Sequence, residues 1–245
     1  MGYTIYTVVD ALDRAPAVTR GLIALFRARH DPAFPGKRAG AADEARSAIR
    51  AGLSKVAAIN DDRLLRLYLA LVEAILRTNA FAPAGQEALA FKIDSARMPG
   101  LPKPVPWREV WVYSRRVEGI HLRSGPVAHS GPRWSHPRAH FPPALDRDGW
   151  AAEGQASYEV FIRTLLSITD TIVDGKIVHP VDVEINDAED PYFVVAADKG
   201  TAKFSDIANG IAEAHGFWLD DAFASGGSNG YDHKAMGITA KGAWV

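Results

Sequence analysis

A change of period near residue 81 constrains this chain more than any other feature. Leu64, Leu65, Tyr68, Leu69, Val72, Ile75 and Leu76 recur at i, i+3, i+4 and i+7, the spacing of one apolar face on a core-facing helix. Asp61 stands ahead of the stripe as the expected N-cap. Upstream, Leu22, Ile23 and Phe26 open another stripe that ends before Asp31-Pro32. The polar run from His30 to Gly40 reads as a loop, and a second helix is expected from about Ala42 to Ile59. Beyond Phe81-Ala82-Pro83 the helical spacing is gone. Ala88 to Ile93, Glu109 to Tyr113 and Val117 to Leu122 read as strands, the first two separated by the proline-rich connection Met98 to Pro106.

The stretch from Arg123 to Trp150 is rich in proline and histidine and reads as loop. Tyr158, Phe161, Ile162, Leu165 and Leu166 then predict an amphipathic helix ended near Asp174-Gly175. Tyr192 to Ala196 suits a short buried strand. Ser205 is the expected cap of a last helix with the stripe Ile207, Ala208, Ile211 and Ala212, stopped by Gly216. Helices first, then alternating strands and helices, predict an α/β fold with a helical N-terminal layer over residues 1–85 and an α/β domain over 86–245.

With 245 residues, 47% hydrophobic and 23% charged, the chain has enough apolar material for one large domain or two small ones. Its 28 basic and 29 acidic residues nearly cancel, which favours neither a nucleic-acid nor a membrane-surface partner. Without cysteine there is no disulfide, no thiolate metal ligand and no thiol nucleophile. The start MGYTIYTVVD lacks the charged and apolar regions of a signal peptide, and Tyr6 stands where a myristoylation signal wants Ser or Thr. No apolar run reaches membrane-spanning length, so a soluble cytoplasmic protein is expected. No G-x-G-x-x-G follows an expected strand, hence no dinucleotide-binding (Rossmann) fold is expected in this chain.

Chemistry gathers in a few places. Asp198, in the turn Ala197-Asp198-Lys199-Gly200-Thr201, follows a strand end, where ligands collect in open α/β sheets. A carboxylate there, beside a lysine, suits proton exchange with an amine; an ordinary strand-to-helix turn remains the other reading. The loop Ser225-Gly226-Gly227-Ser228-Asn229-Gly230 presents amides and hydroxyls that suit a carboxylate or phosphate, or else forms a simple surface turn. His129, His136 and His140 share one stretch, but Pro132 and Pro137 break the helix that the four-residue spacing needs, so no metal site is expected. Arg115, Arg116, Arg123 and Arg133 offer forks for a dicarboxylate, or structural ion pairs.

Several segments resemble the large bacterial NAD-specific glutamate dehydrogenases. They are LRLYLALVEAILRTN (Leu65 to Asn79), ALAFKID (Ala88 to Asp94), PGLPKPVPWREVWVYSRRVEGIHLRSGPVA (Pro99 to Ala128), DKGTAKFSDIAN (Asp198 to Asn209) and GFWLDDAFASGGSNGYDHKAMGITAKGAW (Gly216 to Trp244). The resemblance implies oxidative deamination of L-glutamate to 2-oxoglutarate and ammonia, with hydride passing to NAD bound on a separate Rossmann domain, and a mixed-sheet substrate-binding domain here. It implies that Asp198 is the acid–base carboxylate, with Arg133 and the loop at Gly227 and Ser228 on the substrate. Gly230 and Thr239 lie on the segment that leads toward the cofactor cleft.

Gly131, Arg133, Trp134 and Ser135 match the family's G-G-x-R-W-S motif, with Ser130 in place of the first glycine. His129 stands where the family has a basic residue, and Pro132 and His136-Pro137 also depart from it. The family continues from this motif into a segment that supplies its substrate-binding and catalytic lysines. Here Phe141 runs almost directly into Pro142-Pro143-Ala144-Leu145-Asp146, and the pattern resumes from Asp146 to Glu153. Neither Lys176 nor Lys199 sits in a motif that replaces those lysines. The expectation is an inactive part of such an enzyme, ending where the cofactor domain would begin and prone to homo-oligomerise through exposed core surface. A non-catalytic oligomerisation or regulatory module on the same fold is the alternative.

Overall fold

The computed structural model describes residues 3–125, 134–140, 146–196, 202–225 and 227–228. The first part folds as helices α1 (Ile5–Arg14), α2 (Pro16–His30), α3 (Arg38–Leu53) and α4 (Ile59–Ala74). Thr4 caps α1 by accepting from the Thr7 amide, and Pro16 opens α2 at a position where no amide is needed. α2 and α3 approach closely because Gly21 and Gly52 lie between them. A Cβ on Gly21 would stand 2.6 Å from Ile49 Cγ1, and one on Gly52 2.7 Å from Val18 Cγ2.

Two helix limits differ from expectation. α3 begins and ends several residues before the expected Ala42 to Ile59. Asp61 is not the N-cap of α4, a position held by Ala58; it lies in the first turn, where its carboxylate accepts Arg14 Nε and Nη2 at 2.8 and 2.9 Å and ties α1 to α4.

The stripe of α4 was expected to run through Leu76, but the helix stops at Ala74 and the chain enters β1 (Ile75–Thr78) directly. β1 begins an antiparallel sheet in the order β1, β2 (Leu89–Asp94), β3 (Arg108–Tyr113), β4 (Val117–Arg123) and β5 (Trp134–Ala139). β5 lies in the stretch expected as loop. It is the last strand of this sheet, where Pro137, opposite Gly119, lacks a ladder donor without breaking the pairing.

Alternation gives the sheet two faces. One, with Ala90, Val110 and Val112, packs on α5 (Arg147–Leu166) through Phe161, Ile162 and Leu165 in the main core. Asp146 caps α5 by accepting from the Gly149 amide at 2.7 Å. The other face, with Phe91, Ile93, Trp111 and Tyr113, looks toward α1, α2 and α4 across an apolar cleft of about 1090 Å³.

After α5 comes the hairpin β6 (Thr171–Val173) and β7 (Lys176–Val178). Asp174-Gly175, expected as a helix stop, is its turn, with φ of 50° and 73° at the two residues as a tight primed turn requires. β8 (Val195–Ala196) is shorter than the expected run from Tyr192, although Phe193 is buried with it. α6 (Ala202–Ala214) leads from β8 to β9 (Ala224–Ser225). Ser205 lies inside α6, buried, and not at its cap. Gly216, at φ 67°, ends α6 as expected: its amide reaches Glu213 O and the Phe217 amide reaches Ala212 O, both at 2.9 Å. Among the described residues no helix is long and apolar enough to cross a membrane.

Candidate active site at the ends of a parallel strand pair

β8 and β9 are parallel, with Ala196 opposite Ser225. Parallel pairing needs a crossover, and α6 supplies it. The consequence is that the chain leaves both strands side by side, toward residue 197 from one and 226 from the other. The carboxyl ends of such strands form the usual crevice for ligands in α/β folds.

α6 anchors β9 and the loop beyond it. Asn209 grips Ala224 as a neighbouring strand would, accepting its amide at 2.6 Å and donating to its carbonyl at 3.2 Å. One turn earlier, Asp206 Oδ1 accepts from the Ser228 amide at 2.6 Å and from its hydroxyl at 3.0 Å. Gly227 makes this approach possible, since a Cβ there would lie 2.9 Å from Asp206 Oδ1 and 3.1 Å from Asn209 Nδ2. The anion that Ser228 receives is therefore the chain's own Asp206. Across α6, Tyr158 meets Phe204 edge-on at 4.9 Å, and burial pushes its phenol up to about 12.

Buried charge fixes the chain on the other side, ahead of β8. Arg77 of β1 sends Nη1 and Nη2 to the two oxygens of Asp170 at 2.7 and 3.0 Å, and Nε to Asp187 at 2.5 Å. Lys92 of β2 bridges Asp187 and Asp190 at 2.6 and 2.7 Å. Arg123 of β4 pairs with both oxygens of Asp190 and donates to Tyr192 O at 2.9 Å. Asp170 also receives the Asp190 amide at 2.7 Å and His179 Nδ1 at 2.8 Å. Three cations thus meet three carboxylates with almost no exposed side-chain area. Burial pushes Asp170 and Asp190 up, but the bonds from Arg77 and Arg123 outweigh it and hold both below the usual carboxylate value. The network clamps the loop from Asp187 to Tyr192 onto the sheet and so sets where β8 begins.

Of the residues singled out from the sequence, Gly227 and Ser228 lie at this site. Asp198, Arg133, Gly230 and Thr239 lie outside the described residues, as do His129 and Lys199. Arg116 is spent on Glu153 at 2.7 and 3.0 Å, and Arg123 on the buried network, so both follow the ion-pair reading. His136 falls in β5, and His140 lies 3.8 Å from Glu118. Among the described residues, no three His, Asp or Glu side chains gather as a metal-binding set. Arg77, Lys92, Asp170, Asp187 and Asp190 escaped the sequence reading. One signal was available: Lys92 is a charge set between Phe91 and Ile93 in an apolar run, and a charge in a buried strand demands a partner. The connection from β8 to α6 does not fit a dinucleotide's phosphates. The segment between β8 and α6 holds one glycine and an aspartate in place of a glycine-rich phosphate turn.

A family model described as the catalytic domain of bacterial NAD-glutamate dehydrogenase matches residues 48–142 and 138–245. Proteins named NAD-specific glutamate dehydrogenase are similar throughout: 45% identical in Halomonas elongata, 43% in Pseudomonas aeruginosa and 42% in Mycobacterium tuberculosis, over 97%, 100% and 97% of this chain. The chain spans only 17%, 18% and 17% of their lengths. The alignment with the Pseudomonas protein covers 287 positions against 245 residues here, so that relative carries residues without a counterpart in this chain. The two stretches of the family match meet at residues 138–142.

Proposed function

The chain belongs to the bacterial NAD-glutamate dehydrogenase catalytic-domain family, and on that premise we propose that it forms the amino-acid side of such an active site without turnover of its own. The reaction of the whole enzyme in this reading converts L-glutamate to 2-oxoglutarate and ammonia. Asp198 exchanges a proton with the substrate amine, Arg133 holds a substrate carboxylate, and the loop at Gly227 and Ser228 closes the same end of the pocket. Gly230 and Thr239 continue toward the cofactor side, and NAD is held mainly by residues other than those described.

One observation carries this reading: the register of Ala196 with Ser225 starts the Asp198 turn and the glycine-rich loop from adjacent points. β5, which comes directly after Arg133 in the chain, packs beside β8. The lack of turnover rests on cations. Two substrate carboxylates need several positive groups held ready, and such groups supply a large share of transition-state stabilisation. The lysine-bearing segment has no room between Phe141 and Asp146, and Lys92 is held by Asp187 and Asp190.

Purified chain mixed with glutamate and NAD tests the first half: no NADH absorbance is expected, and any sustained turnover refutes it. Calorimetric titration with 2-oxoglutarate tests the second half. Weak binding that disappears in Asp198→Ala is expected, whereas no binding, or binding indifferent to that change, removes the site.

A further inference from the structure

The apolar cleft between the helical layer and the open face of the sheet is not used by the proposed site. Ile23, Trp111 and Tyr113 line it and are 56%, 46% and 58% exposed. Leu12 of α1 also lines it, and Val9 and Ile5 continue the same stripe toward the helix start, 45% and 69% exposed. Tyr6, on the flank of that stripe, is 78% exposed. α1 is thus an amphipathic helix whose apolar face is only partly covered, placed at the mouth of an apolar cleft.

We propose that a second copy of this chain covers this face, packed on a two-fold axis so that the exposed α1 stripe of each copy enters the cleft of the other. Area supports that occupant. The exposed parts of Ile5, Tyr6, Val9, Ile23, Trp111 and Tyr113 amount to roughly 800 Å² per copy, the size of one side of a standard stable interface. Self-complementarity supports it too, because one surface carries both the protruding helix face and the cavity that accepts it, as an isologous contact requires. The inference stands apart from the reading of the Asp198 pocket.

Sedimentation equilibrium of the purified chain at tens of micromolar tests it. A dimer is expected. Ile5→Glu and, separately, Tyr113→Glu should weaken that dimer by roughly a hundredfold or more, since each buries an unpaired charge and position 113 already faces Glu118 across the strand pair. Both positions are exposed in the single chain, so an unchanged circular dichroism spectrum checks that each variant folds. The chain has no cysteine, so Val9→Cys mixed with Tyr113→Cys should give a disulfide-linked pair on mild oxidation. A monomeric wild type, a dimer that survives both charged variants, or the lack of the mixed cross-link overturns the proposal.

Discussion

Asn209 holds the amide and the carbonyl of Ala224 at once, in a place water does not reach. Asn209→Ala leaves both unpaired and should cost about 1–3 kcal/mol, read as a lower urea midpoint with an unchanged slope. The buried network is more sensitive. Asp190→Asn strips Lys92 and Arg123 of a shared counter-charge, and a cost of about 3–5 kcal/mol is expected from the same measurement.

Acid should expose two groups in turn. Burial, with help from Arg29 and Arg38, lowers His30 from 6.5 to about 3, so the folded chain keeps it neutral while the unfolded chain takes up a proton. Stability should therefore begin to fall as pH drops through 6.5 and keep falling toward about 3, a decline that His30→Asn should flatten. Asp170 and Asp190 have folded values below the unfolded one. Their contribution is complete above the unfolded carboxylate value of about 4 and is lost as pH falls through the folded values. Calorimetric melting temperatures between neutral pH and pH 3 should show the shallow decline first and the steep one below it.

At the scale of elements, the α2–α3 crossing depends on two missing side chains. Gly52→Val must move Val18 or separate the helices and should cost about 1–3 kcal/mol by denaturant titration, with part recovered by Val18→Ala in the same chain. Elements whose own side chains decide their state were legible in the sequence: the stripes of α2, α4 and α5, the runs of β2, β3 and β4, and the glycine stop of α6. Those decided by a distant partner were not. Ile75 and Arg77 continue a helical pattern, yet pairing with Ile93 and the pull of Asp170 and Asp187 make them strand. β5 hides its state behind Pro137, which only its outer position tolerates. Asp174-Gly175 carried a hairpin signal that the preceding helical run masked. At the candidate site, the strand end before Asp198 was readable, since an apolar run stops there. That Asp206 serves the Ser228 loop was not, because it depends on α6 presenting its first turns to β9.

At the scale of the whole molecule, two large apolar cores emerge among the described residues. One joins the sheet to α5 and α6 through residues such as Phe161, Leu165 and Phe223; the other joins α2, α3 and α4 through Leu25, Ile49 and Leu65. Among those residues a small third cluster around Ile75 and Ile93, with Phe26 and Leu71 against it, bridges them beside the cleft. Native-state hydrogen exchange should find amides of α1 to α3 opening at lower free energy than those of β2 to β4; equal protection in the two layers would contradict this division. The helices then act as a cover whose attachment is weaker than the body beneath it.

The buried network has an evolutionary consequence. Arg77, Lys92, Arg123, Asp170, Asp187 and Asp190 balance one another, so no single position can drift without stranding an ion. Across kindred proteins these six sites should be inherited as a set, and an isolated loss at one should coincide with a compensating exchange at another.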